Sequence, residues 1–145
     1  MSVCDLGSQN DFTREGFPFV SWEYGRREIE YDSIDVNGKG TIYHDLGTLM
    51  EIYRQYDMVV DAGTKEHVMN LDKAFLNQYN LTKKDGLMYC ENPKVGSWPD
   101  HGFHYFTKDY YKGYSKRFNT RILVLEEHAC NTSDDGWEII CLMRK

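Results

Sequence analysis

Four short, largely apolar segments of the chain each end in an aspartate, and this repeated pattern is the strongest constraint on its fold. The segments span residues 1–5, 31–35, 41–45 and 56–61, and therefore end at Asp5, Asp35, Asp45 and Asp61. Short β-branched or apolar runs that alternate with helical patterns are typical of a parallel α/β sheet. The carboxyl ends of parallel strands meet at one edge, so we expect the four aspartates to line that edge.

A glycine turn follows the first segment directly. Gly7 lies two residues after Asp5, and Ser8 and Gln9 come next. Glycine at a strand-to-helix turn permits a positive φ and lets the backbone approach a ligand closely, because it has no Cβ. A carboxylate at a strand end can accept hydrogen bonds from two vicinal hydroxyls, which makes Asp35 the candidate for binding a ribose.

The order of these four strand ends resembles the class I S-adenosylmethionine-dependent methyltransferases over nearly the whole chain, which would be an unusually short member. The resemblance implies S-adenosylmethionine as the cofactor. It also implies that an acid-x-glycine turn opens the cofactor site, that the second strand end binds the ribose, and that the third meets the adenine. The cofactor-binding residues it implies are Asp5, Gly7, Ser8, Gln9, Asp35, Asn37, Asp45, Leu46, Asp61 and Gly63.

The fold implied by the resemblance is a Rossmann-like α/β fold with a mostly parallel, twisted seven-stranded sheet and an antiparallel C-terminal strand. A length of 145 residues is typical of one domain, so we expect residues 1–145 to form a single S-adenosylmethionine-binding methyltransferase domain. Beyond the first four strands, the patterns predict strands over residues 87–90, 121–127 and 137–143. The last two are joined by a segment whose composition is typical of a tight antiparallel connection.

Three segments have helical patterns. Residues 48–56 begin with a capping box, Thr48 to Glu51, and residues 64–81 carry apolar side chains at steps of three and four. Residues 108–117 interleave tyrosines with lysines, which predicts a packed helix rather than an RNA-binding strip. Only five residues, 36–40, separate the second and third strands, too few for a crossover helix. We therefore expect reduced helices on one face of the sheet, where exposed apolar surface would allow a homodimer.

Charge and composition argue against several classes of function. The formal charge is −6, from 17 basic and 23 acidic residues, which argues against a nucleic-acid partner. The sequence has no apolar run long enough to span a bilayer and no basic segment followed by a short apolar one, so we expect a cytoplasmic protein without a membrane partner. Cysteines at positions 4, 90, 130 and 141 lack metal-site spacing and are expected to be free thiols.

The segment after the fourth strand contains Glu66-His67-Val68, which resembles a turn of methyltransferases that act on small oxygen acceptors. This resemblance implies that His67, together with Glu66, acts as a catalytic base or polarises the acceptor. Some of those enzymes add an acid four residues before the histidine to hold a metal, and Gly63 stands at that place here. No metal is therefore predicted. The alternative is that His67 only orients the start of the next helix.

A long aromatic loop follows the fifth predicted strand, over residues 91–107. In this fold class it borders the acceptor pocket, so we predict that Trp98, His101, His104 and Tyr105 form a wall that binds the substrate. The alternative is a packing loop whose aromatic side chains close the end of the sheet. The His101 and His104 pair would suit a metal, but the spacing shows no third ligand.

Three functions remain open. The first is an S-adenosylmethionine-dependent methyltransferase that acts on a small-molecule, sugar or peptide acceptor. The second is a catalytically reduced S-adenosylmethionine-binding protein that acts through a protein or RNA partner, which the single glycine of the turn and the missing crossover helix favour. The third, an NAD-linked enzyme, should have its acid about 20 residues after a Gly-x-Gly-x-x-Gly turn. Asp35 lies 35 − 7 = 28 residues after Gly7, and the other glycines of the pattern are absent. An NAD-linked enzyme is therefore the least favoured of the three functions.

Overall fold

A seven-stranded sheet organises the protein in a computed structural model that describes residues 1–7, 29–129 and 136–145. Strands β1 to β5 are parallel, and β7 is antiparallel to both of its neighbours, β5 and β6. The spatial order is β3-β2-β1-β4-β5-β7-β6, which confirms the predicted fold class. The strands are β1 Ser2–Leu6, β2 Glu30–Asp35, β3 Ile42–Tyr43, β4 Tyr56–Ala62, β5 Thr82–Pro93, β6 Arg121–Ala129 and β7 Trp137–Arg144.

The strand order reverses between β1 and β4, which lie side by side in the middle of the sheet. Leu6, the last residue of β1, is paired with Ile34 of β2 on one side and with Asp61 of β4 on the other. All five residues of β1 are buried. Ligands of open α/β sheets bind outside the strand ends at such a reversal, so the ends of β1, β2 and β4 mark the expected site.

Two α-helices occur among the described residues, α1 Leu71–Leu81 and α2 Lys108–Phe118. The side chain of Asn70 caps α1, and the side chain of Thr107 caps α2. Tyr111 and Tyr114 of α2 are buried against Phe75 of α1 in an aromatic core, as predicted for the tyrosine face of this segment. Neither helix is long and apolar enough to cross a membrane.

The predicted helix over residues 48–56 is wrong. This segment has no helical structure, and the side chain of Asn77, which is buried in α1, takes over its backbone hydrogen bonds. The Asn77 amide donates to the carbonyl oxygens of Leu46 and Thr48 at 3.1 and 2.7 Å and accepts from the Met50 N–H at 3.0 Å. A capping box is a local signal, and here a side chain about thirty residues away outcompetes it.

Two element boundaries also differ from the prediction. The helix predicted over residues 64–81 is split into a 3-10 turn, Lys65–His67, and α1, which begins at Leu71. Strand β5 begins at Thr82 rather than at residue 87, directly after α1. Its pairing with β4 shifts register between Tyr56 and Met58, and Asp85 in this part of β5 has a left-handed conformation (φ 63°). The β2–β3 connection has no helix, as predicted. Among the described cysteines, Cys4, Cys90 and Cys141 are buried free thiols, also as predicted.

We expect Asn77→Ala to lower the free energy of unfolding by about 2 to 3 kcal/mol, because it leaves buried backbone groups of residues 46–50 without partners. Urea unfolding monitored by circular dichroism measures this loss. Asn80→Ala is the matched control, since Asn80 lies in the same helix and its side chain makes no hydrogen bond with the described residues. Equal stability of the two variants would contradict the role of Asn77.

Candidate active site

The turn after β1 is built around Gly7, which has a φ of +88°. Its N–H donates to the carbonyl of Ile34 at 2.7 Å, and the hydroxyl of Thr64 donates to the carbonyl of Leu6. A Cβ on Gly7 would lie 2.2 Å from the Thr64 hydroxyl oxygen. The glycine is thus required by the approach of the β4 turn as well as by its positive φ.

Asp5 lies two residues earlier and its side chain is buried, with 2% of the residue exposed. One carboxylate oxygen, Oδ2, accepts a hydrogen bond from the Tyr31 hydroxyl at 2.9 Å, and Oδ1 has no partner among the described residues. Burial raises the pKa of Asp5 from 3.8 to about 7. The turn therefore contains a buried carboxyl oxygen that a ligand donor could satisfy.

Asp35 and Asn37 form the turn at the end of β2. The Asp35 Oδ1 accepts from the N–H of Asn37, and the Asn37 Oδ1 accepts from the N–H of Lys39, both at 2.8 Å. Asp35 is half-buried and Asn37 is exposed. The predicted ribose carboxylate is thus at the rim of the strand edge, where its own turn holds it in position.

Asp45 closes a similar turn after β3. Its Oδ1 accepts from the N–H of Gly47 at 2.8 Å, and its carbonyl accepts from the N–H of Thr48 at 2.9 Å. Asp45 is exposed, whereas the neighbouring Leu46 is buried in the core with Ile34. The predicted Ser8 and Gln9 lie outside the described residues.

Asp61, one of the cofactor-binding residues that the resemblance implies, lies in the core. It is fully buried together with Lys65, whose ammonium lies 3.2 Å from the Asp61 carboxylate and whose N–H donates to the same group at 3.1 Å. The Lys65 ammonium also donates to Gln78 and lies 3.8 Å from the centre of the Phe75 ring. In this arrangement Asp61 holds the 3-10 turn in place. Gly63, with φ +72°, links β4 to β5 through the carbonyl of Glu91 at 2.9 Å.

Three side chains meet beside the 3-10 turn, and we call them the Glu66 cluster. Glu66 and His67 belong to the turn, and His101 belongs to the loop after β5. The Oε1 of Glu66 lies 3.9 Å from Nε2 of His67 and 3.7 Å from Nε2 of His101, and the two imidazole centres are 4.9 Å apart. The other oxygen of Glu66, Oε2, accepts from the Asn92 amide at 3.1 Å, and Asn92 in turn accepts from the Tyr111 hydroxyl.

The electrostatics of this cluster are unusual because Glu66 is 1% exposed. Burial, with a smaller contribution from the neighbouring Asp61, raises the pKa of Glu66 to about 8. Burial and the nearby His101 lower the pKa of His67. Perturbed groups of this kind that converge on one point are typical of functional sites.

The loop between β5 and α2 is bound to the same turn. The N–H groups of Phe103 and His104 donate to the carbonyl of Glu66 at 2.7 and 3.2 Å, and the His104 Nε2 lies 3.0 Å from the carbonyl of Val68. The Tyr105 hydroxyl donates to the carbonyl of Trp98 at 2.6 Å, which closes the loop on itself.

The four loop residues predicted to bind the substrate therefore divide into two pairs. His104 and Tyr105 hold the loop in place. Trp98 packs its ring 5.3 Å from that of His101, and its indole N–H is buried without a partner among the described residues. His101 therefore belongs to the Glu66 cluster, and Trp98 packs against it.

Sequence reasoning missed Lys65, Asn92 and Tyr111. Asn92 is a polar residue close to the end of a buried strand, the same signal that marked the four aspartates, but the predicted strand stopped at residue 90. Lys65 and Tyr111 carried no signal, since a lysine after a strand normally faces solvent and the α2 tyrosines have the spacing of core residues.

No protein-family model matches the chain. No curated protein is significantly similar to it. Several solved structures are similar to this chain. A putative methyltransferase from Bacillus halodurans aligns with a TM-score of 0.72 and 10% identity, covering 99% of this chain and 91% of that one. An S-adenosylmethionine-dependent methyltransferase from Methanosarcina mazei aligns with a TM-score of 0.71 and 12% identity, covering 99% of this chain and 92% of that one.

A third similar structure is the 1,6-didemethyltoxoflavin-N1-methyltransferase of Burkholderia thailandensis, with its substrate and S-adenosylhomocysteine bound. It aligns with a TM-score of 0.71 and 11% identity, covering 99% of this chain and 70% of that one. At these identities the likeness concerns the fold. The chain has the class I, Rossmann-like methyltransferase fold.

We expect Gly7→Ala to destabilise the protein more than Gly96→Ala does, by at least about 2 kcal/mol, because only the first introduces a steric overlap. Both glycines have nearly the same φ, +88° and +89°, but a Cβ at Gly96 would contact nothing within 4 Å. The pair thus separates the clash with Thr64 from the cost of a positive φ. Equal losses in chemical denaturation would show that Thr64 moves away freely.

We expect Asp5 to destabilise the protein as the pH rises, because its pKa in the folded state, about 7, lies above its ordinary value of 3.8. The folded state retains a proton that the unfolded state has released, so the stability of the wild type relative to Asp5→Asn should fall between about pH 4 and pH 8. The rise in pKa corresponds to at most about 4 kcal/mol.

Unfolding free energies of both proteins across this range measure the effect. Asp57→Asn provides a control of opposite sign, since hydrogen bonds from Lys83 and Ser2 lower the pKa of Asp57 to about 2. Its stabilising contribution should be lost as the pH falls below about 4. A pH-independent difference in stability between the wild type and Asp5→Asn would show that the pKa of Asp5 is not raised in the folded state.

Proposed function

We propose that the protein is an S-adenosylmethionine-dependent methyltransferase that acts on a small-molecule, sugar or peptide acceptor. The observation that carries this proposal is the placement of two chemically distinct groups at the same sheet edge. The glycine turn of β1 and the carboxylate at the end of β2 form one side, and the Glu66 cluster after β4 forms the other. Both sides follow the ends of neighbouring strands at the reversal of strand order between β1 and β4, where ligands of open α/β sheets bind.

The first side suits the cofactor. The buried Oδ1 of Asp5 lies beside the Gly7 turn and can accept from an ammonium or N–H donor, while Asp35 at the rim can accept from ribose hydroxyls. Asp45 and Leu46 follow on the next strand, where the adenine would lie. The S-adenosylhomocysteine bound in the Burkholderia thailandensis enzyme of the same fold supports this choice of ligand. Ser8 and Gln9 complete the proposed set, and Asp61 contributes by positioning the turn.

The second side suits the acceptor. The cofactor would supply an electrophilic methyl group, so the protein needs mainly to align the acceptor and to polarise it or accept its proton. Glu66 is fixed by Asn92 and Tyr111, and His67 beside it is exposed enough to meet a substrate. Trp98 and His101 form the adjoining wall. We assign the catalytic role to His67 and Glu66, and the net charge of −6 favours an acceptor that is not a nucleic acid.

A second candidate is a protein that binds the cofactor without turnover and acts through a protein or RNA partner. The connections from β2 to β3 and from β3 to β4, both within the described residues, contain no helix, and this trimmed edge favours it. The two candidates share the cofactor and differ in methyl transfer. An acceptor screen that detects S-adenosylhomocysteine as product separates them.

We expect Asp35→Asn to weaken the binding of S-adenosylhomocysteine at least about tenfold, because it replaces one accepting oxygen by an NH2 donor, and the remaining oxygen already accepts from the Asn37 N–H. The asparagine oxygen can still accept from the Asn37 N–H, so the turn should persist. Isothermal titration calorimetry measures the change, with NAD as the negative ligand. Asp85→Asn is the control for charge, since Asp85 is exposed and its left-handed backbone tolerates asparagine. Unchanged affinity would remove Asp35 from the ribose role, and no binding to the wild type would refute the proposed function.

A further inference from the structure

We propose that the Glu66 cluster is a binding site for a divalent transition-metal ion of the zinc class. The three side chains come from two different segments of the chain, the turn after β4 and the loop after β5. Their ligand atoms, one carboxylate oxygen and two imidazole nitrogens, all lie within 4.8 Å of one another. Two histidines and one glutamate are a ligand set that proteins use for catalytic zinc.

The distances from Glu66 to the two histidines suit a shared ion. Bonds from zinc to nitrogen or carboxylate oxygen are about 2.1 Å long, so two ligands of one ion can be at most about 4.2 Å apart. The Oε1 of Glu66 lies 3.7 and 3.9 Å from the Nε2 atoms of His101 and His67, which is too long for a hydrogen bond and short enough for a common ion.

The carboxylate is held by a second layer of contacts. Asn92 donates to Oε2 of Glu66 and is itself held by the Tyr111 hydroxyl, so that Oε1 is turned toward the imidazoles. Such outer partners orient the ligands of metal sites. Asn92, Tyr111 and Glu66 are all buried, which makes this arrangement part of the core.

The third ligand is fixed by the backbone. The N–H groups of Phe103 and His104 donate to the carbonyl of Glu66, and a Cβ on Gly102 would lie 2.9 Å from that same oxygen. The residue after His101 is therefore pressed against the backbone of Glu66. This contact holds the loop ligand beside the turn ligands without needing an ion to bring them together.

The imidazole nitrogens are available. Neither His67 nor His101 has a side-chain hydrogen bond with a described residue, whereas the Nε2 of His104 lies 3.0 Å from the carbonyl of Val68. Lys65, the next residue to Glu66, directs its ammonium to Asp61 and Gln78 instead. Among the described residues no ammonium or guanidinium forms an ion pair with the buried Glu66 carboxylate, so no side-chain ammonium or guanidinium competes with a metal ion for it.

A metal ion with three protein ligands keeps an open position for a substrate. This consequence rests on the proposed function: the acceptor would be a molecule with a hydroxyl that can coordinate the ion, such as one beside a second oxygen. As ligands, His67 and Glu66 would polarise the acceptor through the ion, and coordination would promote loss of the hydroxyl proton to solvent water. The oxygen then forms a bond to the methyl carbon as the methyl–sulfur bond breaks, and S-adenosylhomocysteine leaves.

The test is calorimetric titration of the chelator-treated full chain with Zn²⁺, supported by the absorption bands of bound Co²⁺. We expect one site, and at least a hundredfold loss of affinity in His101→Ala and in His67→Ala. His128→Ala, at an exposed histidine of β6 outside the cluster, should bind as the wild type does. Glu66→Gln should also lose binding; if that variant does not fold, the two histidine variants decide the question because both residues are partly exposed.

A second group of possible ligands provides an internal control, namely Glu91, His128 and Glu138 on neighbouring strands. Loss of Zn²⁺ binding in His128→Ala but not in His101→Ala would overturn the proposal, as would no binding to the wild type at millimolar Zn²⁺. S-adenosylhomocysteine is titrated in parallel. If it binds and Zn²⁺ does not, only the metal site is refuted. If Zn²⁺ binds at His67 and His101 and S-adenosylhomocysteine does not, the metal site stands and the proposed function fails.

Discussion

A fully buried lysine–aspartate pair supports the rest of the structure. The ammonium of Lys65 links the end of β4, through Asp61, to α1, through Gln78, and lies 3.4 Å from Cys90 of β5. Gln78 extends the network by donating to backbone carbonyls of both strands. An unpaired charge at this depth would be strongly destabilising, so each partner requires the other. The pair thereby fixes the conformation of the turn that follows β4.

Both halves of the proposed site depend on this turn. Thr64 immediately precedes it and packs against Gly7 while donating to the carbonyl of Leu6, which ties the cofactor side to β4. Glu66 follows Lys65 and presents its carbonyl to the β5–α2 loop and its carboxylate to Asn92 and the histidines. A turn fixed between two strand ends can therefore align a cofactor and an acceptor, which suits a reaction that depends chiefly on positioning.

Local sequence patterns suffice to predict the strand ends of this protein. The strand ends at Asp5, Asp35 and Asp61 were predicted because each follows a short apolar run, and burial of such runs requires a sheet. The helix over residues 48–56 was wrong because Asn77 offered its backbone better hydrogen bonds. The pairing of Asp61 was missed for a similar reason, since its partner is a lysine that sequence patterns place in solvent.

Alternation of apolar runs and helical patterns indicated a parallel α/β sheet with a turn at Gly7, because these features follow from burial and from backbone sterics, and the resemblance implied the seven-stranded Rossmann-like fold. Only the tertiary structure decided which polar side chains meet. His101 rather than His104 joins Glu66 and His67, although the two loop histidines look equivalent along the chain, because the carbonyl of Val68 holds one and the contact at Gly102 positions the other. Such pairings depend on distances across the fold, which no local pattern encodes.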